Sequence, residues 1–276
     1  MIVPKLKDEH FLADVKEARL DTGHLHLWWL GQSGFLIQYQ GNYLLLDPYL
    51  SDSLTKKYAD TTKPHVRMTK RVIAPERLNF IDVVTSSHNH TDHLDTETLA
   101  PLMQVNPKLK VVVPKANLEF AANRLQVSSE RLTPIRDVVK LGPFTLHTVP
   151  AAHEELETDA EGNHKYIGLI LEVGDYTVYH SGDTLLYDGK IDLLKKWQID
   201  VALLPINGRD PKRSVAGNLS GEEAARLAKA IGVKLVIPCH YDMFAFNTVS
   251  PDEFVQTANA IGQKYYVLQN GERLSL

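Results

Sequence analysis

The segment of this sequence richest in chemistry is His88-Asn89-His90-Thr91-Asp92-His93. Four candidate metal ligands within six residues cannot all point the same way. Alternate imidazoles, His88 and His90, project to one side, while Asp92 and His93 turn toward a second point. That is the pattern expected for two metal ions side by side, roughly 3.5–4 Å apart and sharing a hydroxide nucleophile. Two coordination spheres need further ligands, and the candidates stand where apolar strands end: His153 after LHTVPAA, Asp183 in HSGDT, and His240 after KLVIPC. The donors are imidazole nitrogens and carboxylate oxygens with no thiolate, a set that suits zinc and equally manganese or iron. A metal lowers the pKa of bound water from 15.7 to about 7, so such a site can hydrolyse a carbonyl or phosphoryl compound at neutral pH. Asp92 is the candidate to orient that water and take its proton.

Around this cluster stand residues with two readings each. Asp47, before Pro48, is either an acceptor that fixes the tautomer of a ligand imidazole or a turn-forming Asp. His180, three residues before Asp183, either supports the ligands from behind or is a packed histidine. Tyr241 could donate to a leaving group, although neighbours on a strand point apart. Gln32 and Ser33, in the Gly31–Gly34 turn, either approach the site or form a plain hairpin turn. Arg209, Lys212 and Arg213 either hold an anionic group of the substrate or make a solvated charged loop. Cys239, beside a ligand on a strand, is expected to be a buried thiol facing away from the metals.

The elements that must position these residues read as follows. Residues 1–20 are a polar lead-in, with room for one short helix. HLHLWWL, FLIQY and YLLLD, separated by glycine turns, read as consecutive antiparallel strands. Residues 51–80 read as a loop or helical excursion. IDVVTSS is a buried strand running into the histidine cluster, followed by a helix from Thr96; KVVVP is a strand and 116–125 a helix. VVKLG–PFTLHTV and YIGLILEVGDYTVYH read as two hairpins, 188–198 as a helix and VALLPI as a strand. Ser220 with Glu223 caps a helix ending near Gly232. KLVIPCH is a strand, 250–262 a helix, and YYVLQNGERLSL a final hairpin. Hairpin meanders followed by helix–strand units predict two mixed sheets packed face to face with helices outside.

Composition narrows the function. The 276 residues carry 30 Lys+Arg against 34 Asp+Glu, and this net charge of −4 lacks the basic surplus that phosphate-backbone binding needs. Nucleic acid is therefore not an expected partner, and no apolar run reaches membrane-spanning length. A single cysteine cannot form an intrachain disulfide, and the charged start does not read as a signal peptide, so a cytoplasmic protein is expected. The whole chain, 1–276, reads as one domain.

HNHTDH, a separate later His, a GD-containing strand end and a late PxH resemble the metallo-β-lactamase superfamily, in the right order over nearly the whole chain. WWLGQSGFLIQ, YHSGDT, QIDVALLPINGRDPKR and KLVIPCHYDMF are similar to its L-ascorbate-6-phosphate lactonase branch. The resemblance implies a four-layer αββα sandwich and a dinuclear site. His88, His90 and His153 would hold one ion, Asp92, His93 and His240 the other, and Asp183 would bridge them. It tilts the metal toward manganese, allows a homo-oligomer, and implies hydrolysis of a small anionic lactone of the phosphorylated sugar-acid type. The segment between Asp47 and Ile81 departs from the lactonases, and it is a region that shapes a substrate pocket. The competing readings are a phosphodiesterase or other ester hydrolase of the same fold, and a metal-binding scaffold without catalysis. A β-lactam hydrolase is disfavoured because Asp183 stands where the commonest zinc enzymes have Cys. A diiron redox member is disfavoured because it would have Glu at His90.

Overall fold

The computed structural model describes residues 1–210, 213 and 217–276. Lys212, one of the candidate anion-binding residues, lies outside the described residues. The first sheet begins with β1 (His26–Gly31), β2 (Gly34–Tyr39) and β3 (Asn42–Leu46), joined as antiparallel hairpins. The β2–β3 turn carries Gln40 and Gly41 at φ 48° and 78°, the left-handed pair that suits the right-handed twist of a tight hairpin. β4 (Val83–Thr85), β5 (Lys110–Pro114) and β6 (Leu132–Ile135) then add in parallel. The second sheet runs antiparallel through β7 (Val138–Leu141), β8 (Phe144–Pro150), β9 (Ile167–Val173) and β10 (Tyr176–His180). It continues in parallel through β11 (Val201–Pro205) and β12 (Leu235–Cys239). β13 (Arg273–Ser275) closes the first sheet beside β1, giving the order β13-β1-β2-β3-β4-β5-β6 against β12-β11-β10-β9-β8-β7.

The continuous apolar runs have a simple cause: both faces of the first sheet are covered. Leu27, Trp29, Phe35, Ile37, Leu44 and Leu46 meet Leu146, Leu169, Leu171, Val178 and Leu203 of the second sheet in one core. The intervening residues Trp28, Leu36, Leu45, Val84 and Val111 point outward. They are covered by α1 (Asp8–Ala18), α3 (Thr96–Val105) and α4 (Leu118–Leu125). The short α2 (Ser53–Lys57) lies in the 51–80 excursion, and α5 (Lys190–Leu194) precedes β11. On the other side α6 (Gly221–Ala230) packs on β11 and β12, and α7 (Asp252–Ile261) packs on α6. The two mixed sheets with helices outside are as expected from the sequence, and Ser220 and Glu223 form the expected capping box. No helix among the described residues is long and apolar enough to cross a membrane.

Four local expectations change. The 1–20 segment is more than a polar lead-in: α1 buries Phe11, Val15 and Ala18, with Phe11 edge-on to Trp28. β6 carries no strand signal in the sequence, because LTPI is only four residues long and includes a proline. The helix expected over 188–198 is confined to Lys190–Leu194. The last segment is not a hairpin: Tyr265 bridges Val236 beside β12, and the chain then crosses to pair β13 with β1. At the crossing the Gly271 N–H donates to the Trp29 carbonyl, and the residue needs glycine because φ is 77° and a Cβ would lie 2.1 Å from the Leu6 carbonyl oxygen.

Candidate metal centre

Six strands deliver the site from one edge of the double sheet. The histidine cluster follows β4, His153 follows β8, Asp183 follows β10, and His240 follows β12, while Gln32 and Asp47 follow β1 and β3. Three of these residues turn the chain through the left-handed region: Gln32 at φ 51°, Asp47 at 41° and His240 at 63°. Non-glycine residues held there mark positions over-determined by their surroundings, and such positions cluster at functional sites. Gly182, just before Asp183, sits at φ 57°, and a Cβ there would lie 2.7 Å from the Ile167 carbonyl oxygen. The turn that presents Asp183 therefore requires glycine.

The side chains converge in two trios. One ligand atom each from His88, His90 and His153 lie within 4.8 Å of one another, and the same holds for Asp92, His93 and His240. Asp183 sits between the trios, with its carboxylate 3.3 Å from His93 Nε2, 3.6 Å from His153 Nε2 and 3.2 Å from His240 Nε2. Asp92 reaches His240 Nε2 at 3.5 Å and accepts from Gln32 Nε2 at 2.8 Å. Thus all seven sequence-selected ligand candidates, His88, His90, Asp92, His93, His153, Asp183 and His240, meet in one place.

The supporting contacts fix which nitrogen faces inward. His93 Nδ1 donates to Asp47 Oδ2 at 2.7 Å, and the buried Asp47 also accepts from Thr85 Oγ1, the Ser87 N–H and Ser87 Oγ. His153 Nδ1 donates to the Gly217 carbonyl at 2.8 Å. Both histidines are thereby left with Nε2 directed at the cluster. Of its two readings, Asp47 makes the contact of an acceptor behind a ligand imidazole while also making its turn. His180 Nε2 donates to the Ser33 carbonyl at 2.8 Å, and Ser33 Oγ approaches Asp183 Oδ1 at 3.4 Å. His180 therefore supports the Gln32–Ser33 turn from behind.

The electrostatics of the bare cluster follow from burying charges together. Burial lowers the pKa of His88 and of His90. Against burial, the Asp183 and Asp92 carboxylates lift His93 well above its ordinary value, and they lift His240 to about 9. Also against burial, the His240 and His93 imidazoles hold Asp183 and Asp92 well below the usual carboxylate range. Nε2 of His88 and of His93 are buried without a hydrogen-bond partner. Inward-facing imidazole nitrogens without partners, ionised carboxylates beside them and no thiolate are a donor set that fits divalent cations. The thiol of Cys239 is buried.

Above the cluster opens a cleft of about 370 Å³. Among the described residues its cationic lining is Lys57, Lys63 and Arg124, and its aromatic lining is Tyr58, His65, Phe244 and Phe246, with His65 stacked on Tyr58 at 4.1 Å. The three residues assigned to substrate from the sequence are placed elsewhere. Tyr241 is 3% exposed and packs on Trp29 at 4.8 Å between ring centroids, because the left-handed turn at His240 sends the next side chain into the core. Arg209 points both terminal nitrogens at Glu223, and Arg213 is committed to the Asn207 carbonyl and Asn247 Oδ1. Neither arginine lines the cleft. The wall at 57–65 falls within the Asp47–Ile81 segment expected to shape a pocket, although its individual residues carry no signal, and 244–247 carries none because no local pattern joins segments so far apart; outside the ligand candidates, Gln32 is marked by its glycine turn.

A family model for the beta-lactamase superfamily domain matches residues 42–241. The chain is 26% identical over 260 residues to a metal-dependent hydrolase of Sulfurisphaera tokodaii, covering 91% of this chain and 99% of that protein. It is 23% identical over 271 residues to a probable L-ascorbate-6-phosphate lactonase of Escherichia fergusonii, covering 87% of this chain and 76% of that protein. Among solved structures, an isothiocyanate hydrolase from Delia radicum gut bacteria superposes with a TM-score of 0.71 at 20% identity, covering 91% of this chain and 99% of the other. The matched span holds every residue of both trios together with Asp183, and with the double sheet around them the chain belongs to the beta-lactamase superfamily.

Proposed function

We propose that this metal-dependent hydrolase opens the ring of a small anionic lactone at a site that holds two divalent ions, manganese or zinc. His88, His90 and His153 would hold one ion and Asp92, His93 and His240 the other, with Asp183 shared. The observation that carries the reading is the placement of Asp183 between the two trios, 3.2–3.6 Å from an imidazole nitrogen of His93, His153 and His240. Ions bound there supply an activated water and Lewis-acid polarisation of the substrate carbonyl.

The chain's own residues divide the remaining work. Asp92 orients the attacking water and takes its proton; its side chain is 16% exposed against 4% for Asp183, so it is the carboxylate from which a proton can leave to the cleft. Gln32 fixes the Asp92 carboxylate by its 2.8 Å hydrogen bond. Asp47 holds His93 in the tautomer that leaves Nε2 free. Lys57, on the cleft wall, attracts the anionic group of the substrate, whereas Lys63 Nζ already donates to the Arg213 carbonyl at 2.7 Å. The lactone reading is supported by the similarity to a probable lactonase over most of the chain.

The test is proton release on mixing manganese- or zinc-loaded protein with a phosphorylated sugar lactone and with its unphosphorylated twin, using Asp183→Ala as control. Turnover that disappears in the variant and favours the phosphorylated lactone is the expected result. No turnover of either lactone overturns the substrate class and sends the search to phosphodiesters.

A further inference from the structure

Two carboxamides in the cleft wall have no part in the chemistry described so far. Asn207 follows β11 and Asn218 precedes α6; both are 1% exposed, and both line the cleft together with His153, Asp183 and His240. Their backbones are pinned to each other's surroundings. The Asn218 N–H donates to the Gly208 carbonyl, Gly208 donates to Leu219, and Asn207 bridges Ser220.

The orientation of each amide is dictated by its neighbours. The Thr184 N–H donates to Asn218 Oδ1 at 2.7 Å, so the Asn218 NH2 faces the other way, and Nδ2 is buried without a partner. Arg213 can only donate, and it donates to Asn247 Oδ1 at 3.3 Å. The same oxygen accepts from Asn207 Nδ2 at 3.1 Å, which leaves Asn207 Oδ1 as the buried atom without a partner. The wall thus presents one unmet donor and one unmet acceptor. Each is costly while it stays unpaired, because a buried polar group has given up its water without gaining a partner. Of common ligand groups, the hydroxyl both donates and accepts.

Resting on the small-lactone reading of the site, we propose that Asn218 Nδ2 and Asn207 Oδ1 form a recognition site for the hydroxyl groups of a polyhydroxylated substrate. Asn218 donates to a substrate hydroxyl oxygen and Asn207 accepts a substrate hydroxyl proton. Arg213 acts at one remove, by fixing which end of Asn247, and through it of Asn207, faces the cleft. The site discriminates sugar-acid lactones from plain aliphatic ones of the same ring size.

The test uses the full chain loaded with manganese or zinc and reads binding by calorimetry, with D-gluconate and the hydroxyl-free hexanoate as probes. Asn218→Asp keeps the oxygen that Thr184 holds and replaces the donor by an acceptor. Wild type is expected to bind D-gluconate at least about tenfold more tightly than hexanoate, and the variant, whose added charge weakens both anions, to lose about a further tenfold for D-gluconate. Equal affinity of wild type for the two acids overturns the proposal. So does an equal loss for both in the variant, which is the result if the amides hold ordered water or only brace the loop. Turnover of D-glucono-1,5-lactone and of δ-valerolactone is followed separately. Failure to open either lactone counts against the proposed activity, whereas the ratio of the two binding constants still decides the hydroxyl site.

Discussion

Replacing Asp47 by Asn probes the link between the fold and the metals with little disturbance to the fold itself. Asp47 sits at φ 41°, a conformation Asn adopts more readily than most residues, so the backbone is not the thing perturbed. Asn also keeps one oxygen, which can still accept from Thr85 Oγ1 at 3.1 Å and the Ser87 N–H at 3.0 Å. What changes is the second oxygen, which accepts from His93 Nδ1 at 2.7 Å. In the variant an NH2 faces that nitrogen, and two donors cannot share the contact. His93 relieves the clash by moving its proton to Nε2, the atom 3.3 Å from Asp183 and 3.8 Å from Asp92. A protonated Nε2 has no lone pair for a metal. Loss of such a supporting partner costs about 10–100-fold in metal affinity, or roughly 1.4–2.7 kcal/mol. Competition of wild type and D47N against a chelator of known affinity measures this directly, and thermal unfolding of the metal-free proteins provides the reference. Unchanged metal affinity in D47N, or a loss matched by equal destabilisation of the metal-free fold, would refute the tautomer argument.

The stability of the metal-free protein should peak near the ordinary histidine value of 6.5. Below it the unfolded chain binds protons that the buried His88 and His90 refuse; above it the unfolded chain has released protons that His93 and His240 retain, and that contribution is lost as pH rises through the His240 value of about 9. Unfolding midpoints recorded from pH 5 to 10 in a strong chelator check this, and a monotonic profile would show that the sign is wrong. Tyr241→Phe removes a buried hydroxyl without a partner, so it should leave kcat/KM unchanged and stability equal or up to about 1 kcal/mol higher; a tenfold fall in kcat/KM would return Tyr241 to the substrate. Lys57→Gln should raise KM for an anionic substrate about fivefold at low salt and less at high salt, whereas Arg209→Gln, which loses only the Glu223 pair, should not. Equal effects of the two substitutions would put the anion at the wrong wall.

The candidate ligand set stands out because its chemistry is concentrated in sequence. Four of its members share one six-residue loop, and the other three each follow an apolar strand whose pattern is plain. The sandwich was legible for a similar reason, since hairpins and helix–strand units leave few ways to cover both faces of β1, β2 and β3. What failed were residues whose role is set by a partner far along the chain. Asn270-Gly271 looks like a hairpin turn, but the Gly271 N–H donates to the Trp29 carbonyl and the chain there passes from one sheet to the other. Arg209 looks free for an anion, yet Glu223 accepts from it as well as serving the capping box that the sequence did reveal. Tyr241 draws attention by following His240, and its burial on Trp29 agrees with the strand alternation that argues against a substrate role.

The roof of the cleft was legible as a region, the Asp47–Ile81 segment, but not residue by residue. Segments 51–69 and 242–247 are built together, apart from the sheets. Arg67 donates to Asp52, to the carbonyls of Ser51 and Thr69 and to Met243 Sδ, while Met68 donates to Met243 and Ala245 to Val66. Tyr49, Leu54, Met243 and Phe244 give this unit a small core of its own, separate from the two large ones. The candidate ligands stand on strand ends braced by Asp47, His180 and Gly217, so the roof can change without moving them. Fold fixes where the metals can sit, and the specificity of this chain must be sought in the side chains of the roof and of the Asn207–Asn218 wall.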